Sequence, residues 1–191
     1  MAFQDEQDAR NLERMTDEEF WQFARLEAAK VSPALPTSDS PGVNQYLECE
    51  LQRGTCFAPL YAIESVIAAS SPPARLPFAP RWLHGIVAWH GEIVAVVNLD
   101  EYLSGLETSF SGGMLLIARS PQCAIGLRVP GVGLTTPIEF EQLIPAVPEP
   151  GYPTLYTAER AEVITGLYAG YPVLNVEALL RDVTLQIGMT V

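Results

Sequence analysis

The chain has 191 residues, of which 48% are hydrophobic and only 18% are charged, and its formal net charge is −12. This length is enough for one domain or two small ones with a sizeable core, and so acidic a surface repels nucleic-acid phosphates, which argues against nucleic-acid binding. The three cysteines, Cys49, Cys56 and Cys123, form no C-x-x-C pair and predict reduced thiols in a cytoplasmic protein. No apolar run is long enough to span a bilayer, so we expect no direct membrane insertion.

The first predicted element is an amphipathic helix over about residues 16–30. Thr16 and Glu19 form a capping box at its start, and the aromatic and alanine side chains that follow make a wide apolar face. That face packs on the protein's own body or docks a partner, and the sequence leaves both open. A Pro/Ser-rich linker follows, so we assign 1–44 to a helix and linker outside the main domain.

From Tyr46 onward the hydrophobic pattern has a period of two, which is typical of strands with one buried face. Turn residues then divide the chain into about ten short strands. Residues 62–69 fit a short helix or a strand equally well. His90-Gly91-Glu92 is a predicted hairpin turn, and the segment 137–162 is irregular and rich in Pro and Glu, as functional loops often are.

A strand, an asparagine and a short helix occur twice along this pattern. Residues 96–103 read Val-Val-Asn-Leu-Asp-Glu-Tyr-Leu, and residues 173–180 read Val-Leu-Asn-Val-Glu-Ala-Leu-Leu. Asn98 and Asn175 are suited to cap the helices that follow. An acidic residue in the first turn of each helix interacts favourably with the positive end of the helix dipole. The second helix is expected to end near Arg181.

The repeat predicts two similar halves, each closed into a small β-barrel, because closure removes exposed strand edges. We place the first barrel at about 45–104 and the second at about 113–182, and we assign 183–191 to a C-terminal tail.

The stretch 82–99 resembles the CheW family of chemotaxis coupling proteins, whose pattern there is roughly G-V-I-N-L-R-G-x-I-V-P-V-V-D-L. The matching positions are Gly85, Ile86, Gly91, Ile93, Val94, Val96, Val97 and Leu99. Two later segments, 126–129 and 164–166, resemble the family's G-L-x-V-D-x-V and I-x-G steps. The resemblance covers about 45–182.

The resemblance implies a mainly β fold of two SH3-like five-stranded β-barrels packed side by side with short helices, to which this chain adds its N-terminal helix. It implies no catalysis and no cofactor. Members bridge chemoreceptors to a histidine kinase: they bind the kinase's similar regulatory domain through hydrophobic strand faces, and the receptor's helical tip near the groove between barrels. The protein is then expected in the cytoplasm, or at the membrane through receptor complexes.

Several family positions carry different residues here. The Arg of the family's hairpin turn is His90, and Ser65 stands where many members carry a Glu, with Glu64 as a substitute through a small shift. If the two are close, a protonated His90 would pair with Glu64. Asn98 and Pro130 each replace a family Asp. We predict a partner-binding surface that contains Ile63, Glu64, Ser65, Val66, Val87, Trp89, His90, Val129, Val132 and Leu134.

Metal and catalytic sites have little support in the sequence. His84 and His90 are the only histidines, and two histidines do not supply the three or four ligands that zinc requires. The alternative function is a small β-barrel ligand-binding module or enzyme that uses His90 and the acidic loop 137–162. A third hypothesis keeps the adaptor fold but lets the N-terminal helix fill the protein's own groove, which would make an inhibited adaptor.

Overall fold

The computed structural model describes residues 43–119, 124–146 and 155–188. The predicted helix at 16–30 and Cys123 lie outside them. The described residues form ten strands, two α-helices and three short 3₁₀ turns. The 3₁₀ turns are Leu60–Ala62, Phe140–Gln142 and Ala158–Val163.

The ten strands form two five-stranded sheets. Sheet A contains β1 (Val43–Leu51), β2 (Gly54–Pro59), β8 (Val132–Glu139), β9 (Ile164–Tyr168) and β10 (Tyr171–Leu174). Sheet B contains β3 (Ile63–Ala68), β4 (Leu83–Trp89), β5 (Glu92–Asn98), β6 (Met114–Arg119) and β7 (Ala124–Val129). The orders are β8-β1-β2-β10-β9 and β3-β6-β7-β5-β4. In each sheet one junction is parallel, β2 with β10 and β5 with β7, so the two sheets share one plan.

The sheets do not follow the two sequence halves, 45–104 and 113–182. Strands β1 and β2 of the first half complete sheet A, whereas β6 and β7 of the second half complete sheet B. The repeat itself is real, because β4 and β5 occupy the same places in sheet B that β9 and β10 occupy in sheet A. The β1–β2 hairpin of the first half therefore belongs to the sheet of the second half, and the β6–β7 hairpin of the second half belongs to the sheet of the first. This arrangement is a strand exchange within one chain.

Within the described residues, neither sheet closes into a barrel. The end strands of each sheet form no ladder with each other there. Instead, Ala74 bridges to Ile86 on β4, and Ile144 bridges to Leu167 on β9. Gly85 makes the first approach possible, since a Cβ on it would lie 2.2 Å from the Ala74 carbonyl oxygen. The mainly β architecture of two five-stranded sheets is confirmed.

The core has one shared cluster and two smaller ones. The shared core takes buried side chains from both sheets and both helices, including Cys56, Leu116, Leu127, Tyr102 and Leu179. One smaller cluster belongs to sheet B and contains Trp89, Val94, Val96, Leu115 and Ile117. The other, in sheet A, contains Tyr46, Phe57, Ile138 and Val173. Each sheet thus buries side chains on both faces, and the shared core joins the sheets into one compact unit.

Both predicted asparagine caps form. Helix α1 (Leu99–Ser104) begins after Asn98, whose Oδ1 accepts a hydrogen bond from the Glu101 N–H at 3.4 Å. Helix α2 (Val176–Gly188) begins after Asn175, whose Oδ1 accepts from the Ala178 N–H at 3.0 Å.

Helix α2 does not end near Arg181, and most of the segment assigned to a tail at 183–191 is helical. Val183 is fully buried in the shared core, and Ile187 packs partly against it. These residues continue the apolar face at helical spacing, so burial carries the helix to Gly188.

Candidate functional site

The turn between β4 and β5 fixes two of the predicted site residues. His90 and Gly91 have φ angles of 48° and 83°, the positive values that a two-residue type I′ hairpin requires at both positions. The His90 ring stacks on Trp89, with ring centroids 4.1 Å apart and planes 9° apart. Trp89 is only 8% exposed and packs into the sheet B cluster. The exposed imidazole therefore lies on a buried indole that holds its orientation.

Arg119, at the end of β6, draws two acidic residues to the same place. Its Nε lies 2.6 Å from Glu64 Oε2 and its Nη2 lies 2.9 Å from Glu92 Oε2. Its guanidinium carbon is 5.8 Å from the centre of the Trp89 ring. The hydrogen bond to Glu64, and to a smaller extent the one to Glu92, raises the pKa of Arg119. We call Glu64, Trp89, His90, Glu92 and Arg119 the Arg119 patch.

A β-bulge explains why Glu64, rather than Ser65, takes part in this patch. The pairing of β3 with β6 shifts by one residue between Ile63 and Ser65, and such a bulge changes the direction of the extra residue's side chain. Glu64 points to Arg119, so its partner is Arg119 and not His90 as the sequence suggested. Sequence reasoning missed Arg119 because it assigned β3 and β6 to different barrels; the available signal was a single charge closing the apolar run 114–118.

The remaining predicted residues are divided between the two sheets. On β3, Ile63 and Ser65 are half-buried and Val66 is exposed, and Val87 on β4 is half-buried beside Trp89. Val129 is fully buried in the shared core, so it has no surface to offer a partner and its assignment to the surface is corrected here. Val132 packs partly against the same core. Leu134, at a register shift on β8, is 80% exposed.

A pocket of about 180 Å³ shares Trp89 with the Arg119 patch. Val87, Ile67 and Leu115 contribute apolar walls, and Arg128 supplies a cation. The structure therefore brings Glu64, Val87, Trp89 and His90 to one region of sheet B, whereas Val132 and Leu134 lie on sheet A.

A second polar group surrounds His84, a residue of β4 at another register shift. Its Nε2 lies 3.2 Å from Asn98 Nδ2 and 3.7 Å from Glu101 Oε2, and its Nδ1 lies 3.3 Å from Arg128 Nη1. Burial lowers the pKa of His84; Glu101 opposes this and Arg128 adds to it. Because both ring nitrogens face protein groups, this arrangement positions side chains and leaves no free base.

The same group fixes the connector between α1 and β6. Glu101 Oε1 accepts a hydrogen bond from the Thr108 N–H at 3.1 Å, and Asn98 Nδ2 donates to Thr108 Oγ1 at 2.9 Å. Next to it, Asp100 Oδ2 accepts from the Gln52 N–H at 2.6 Å. From the sequence, an acid in this first turn was expected only to interact favourably with the helix dipole, but in the structure Asp100 and Glu101 are buried hydrogen-bond acceptors.

Nothing in the described residues groups three or more His, Cys, Asp or Glu side chains in a way that would hold a metal ion. Over the same residues, no helix has the length and apolar character needed to cross a bilayer.

Comparisons with known proteins agree with this architecture. The family model described as "CheW-like domain" matches residues 45–184. A search of the curated proteins finds no match. Among solved structures, the chain is similar to the scaffolding protein TtCheW from Thermoanaerobacter tengcongensis, with 18% identity and a TM-score of 0.58. That match covers 71% of this chain and 85% of the other, and at this identity it shows the shared fold alone.

Proposed function

Because the chain belongs to the CheW-like domain family, we propose that it is a non-enzymatic adaptor that couples chemoreceptors to a histidine kinase in chemotaxis or surface-motility signalling. The observation that carries this proposal is the family match, which covers strands of both sheets, helix α1 and most of helix α2. We further propose that the two sheets correspond to the family's two SH3-like barrels. The protein would act in the cytoplasm, at receptor complexes.

An adaptor must present separate surfaces to its partners, and two are available on different sheets. The Arg119 patch on sheet B offers charged groups held in place by ion pairs of 2.6 and 2.9 Å. Leu134 on sheet A offers an apolar side chain that is 80% exposed. We assign the Arg119 patch to the receptor's helical tip and the Leu134 surface to the kinase regulatory domain, since that domain is expected to dock through hydrophobic strand faces.

Isothermal titration calorimetry with each purified partner tests this assignment. Leu134→Asp should weaken kinase-domain binding about tenfold, because it places a charge in an apolar contact, and should leave receptor binding unchanged. Arg119→Glu should weaken receptor binding and leave kinase-domain binding unchanged. Each change has a matched control on α2: Leu185→Asp, at an equally apolar side chain that is 65% exposed, and Arg181→Glu, which breaks the exposed Arg181–Glu177 pair.

The two levels of the proposal fail separately. If the unaltered chain shows no binding to either partner at high micromolar concentration, the adaptor function is rejected. If it binds both, but each surface variant behaves like its control on α2, the function stands and the assignment of the two surfaces is rejected.

A further inference from the structure

The loop between β3 and β4 carries an aromatic side chain that is almost fully exposed to solvent. Phe78 follows Pro77 in a turn of this loop, and it is 95% exposed. Its φ angle is +59°, in the left-handed region that Gly and Asn adopt readily but bulky side chains avoid. Neither feature helps the chain to fold, because the backbone is strained and the ring buries almost no apolar surface.

The Phe78 turn is nevertheless held firmly on the protein. On one side, Ala74 and Ile86 exchange two backbone hydrogen bonds of 2.9 Å each. On the other side, Ala79 packs against the shared core, and the Leu83 N–H donates to the Pro80 carbonyl at 2.9 Å. Pro77 adds a fixed φ angle. The ring is thus displayed by a preorganised backbone, which lowers the entropy lost when a partner binds it.

The charge around the Phe78 turn differs from that of the whole chain. Residues 69–82 include Arg75 and Arg81 and no acidic residue, whereas the chain has a net charge of −12. Arg81 reaches out to Glu107, with Nη2 3.1 Å from Oε2 and both side chains largely exposed. Leu76, between Arg75 and Pro77, is 38% exposed. In the sequence, Phe78 therefore lies between two arginines, of which Arg81 already pairs with Glu107.

We propose that the Phe78 turn is a docking element that inserts the Phe78 ring into an apolar pocket of a different protein, where carboxylates at the pocket rim face Arg75 and Arg81. A buried aromatic anchor with flanking charges is a common arrangement at the centre of protein interfaces. A second copy of this chain is disfavoured as the partner because its own large negative charge opposes self-association. This inference does not depend on the adaptor function or on the two surfaces assigned above.

Phe78→Asn tests both the backbone strain and the docking role, because it should raise the melting temperature and lower the affinity for the partner. Asn tolerates a positive φ, so the melting temperature should rise by about 2–4 °C, while affinity for the partner should fall at least tenfold. The control is Tyr61→Asn, which removes another ring that is 80% exposed but at a position without positive φ; its melting temperature should not rise. An unchanged or lower melting temperature for Phe78→Asn would overturn the strain argument.

The partner is identified by a photo-crosslinking residue, p-benzoylphenylalanine, placed at position 78 of the full chain in cells, with position 61 as the control. Crosslinked peptides mapped by mass spectrometry should come from a different protein, at residues that line an apolar pocket with Asp or Glu at its rim. That purified protein should bind Phe78→Asn and Arg75→Glu more weakly than the unaltered chain. Crosslinks no stronger than those from position 61, crosslinks to a second copy of this chain, or a contact site without acidic residues would each overturn the proposal.

Discussion

At the level of single residues, the surroundings of His84 together lower its pKa and so oppose its protonation. Burial is the largest effect that lowers its pKa, and Arg128 and Arg75 lower it further, while Glu101 raises it. A protonated ring would place a second cation 3.3 Å from Arg128 Nη1. The group around His84 holds the connector to β6 through Thr108, so its protonation is coupled to the stability of that region.

We expect the free energy of unfolding to fall as the pH drops below about 6.5, the usual pKa of histidine. Because the folded-state pKa is lowered, the unfolded chain takes up the proton first as pH falls. The stabilising contribution is therefore complete above about pH 6.5 and is lost as pH falls toward the folded-state pKa. Urea unfolding at pH 8.0, 6.5 and 5.5 measures this, and His84→Gln should reduce the slope. An identical slope in the variant would show that other groups carry the dependence.

The sequence identified individual site residues better than it identified their partners. Glu64, Val87, Trp89 and His90 were selected and do lie in one region of sheet B, because strand and turn patterns place them near the β4–β5 hairpin. Arg119 was missed because its role depends on a contact with Glu64, 55 positions away along the chain. Val129 was misplaced because alternation predicts two faces for a strand, but both faces of this sheet are covered by apolar clusters.

At the level of elements, the two repeated helix starts have the same cap but different surroundings. Asn98 is fully buried, and besides capping α1 it contacts His84 and donates to Thr108 Oγ1. Asn175 is exposed, and within the described residues its side chain makes one hydrogen bond, the cap to the Ala178 N–H. The repeat therefore predicts the cap in both places, but it does not predict the additional bonds of Asn98, which come from the connector that only the first copy contacts.

Asn98→Ala should destabilise the fold by about 3 kcal/mol, and Asn175→Ala by about 1 kcal/mol. The exposed cap contributes the usual value for such a bond. The buried one adds the cost of leaving Thr108 Oγ1 without the hydrogen bond that Asn98 Nδ2 donates to it. Chemical denaturation of both variants at pH 7.5 gives the comparison, with the unaltered chain as reference. Equal losses would mean that the contacts of Asn98 beyond its cap contribute nothing.

The limits of sequence reasoning about elements follow from packing. Residues 62–69 fitted helix and strand equally, and pairing with β6 made Ile63–Ala68 a strand. Helix α2 continued past Arg181 because Val183 is buried. In both cases a contact with a distant segment decided what local pattern left open.

At the level of the whole molecule, the repeat predicted the number of sheets but not how they are composed. A hairpin and the strands that follow it are adjacent in sequence, so placing them in the same sheet was the simplest interpretation. The structure instead pairs β2 with β10 and β5 with β7, in parallel. Both pairings join one half of the chain to the other. A local sequence pattern does not indicate which half a strand will pair with.

This exchange makes a specific prediction about fragments. Cutting the chain between Ser111 and Gly112, in the connector between the halves, gives one fragment with β1–β5 and another with β6–β10. Neither fragment holds all five strands of either sheet, and the shared core takes side chains from both. Each fragment alone should therefore lack a cooperative thermal transition by circular dichroism.

Mixing the two fragments should restore such a transition, and its midpoint should rise with concentration because folding then requires association. Two independent halves would behave differently: each fragment would melt cooperatively alone, and mixing would change neither midpoint. That result would restore the division at 45–104 and 113–182 and contradict the exchanged sheets. The experiment therefore distinguishes a duplicated pair of self-sufficient units from a single fold in which each half completes the other.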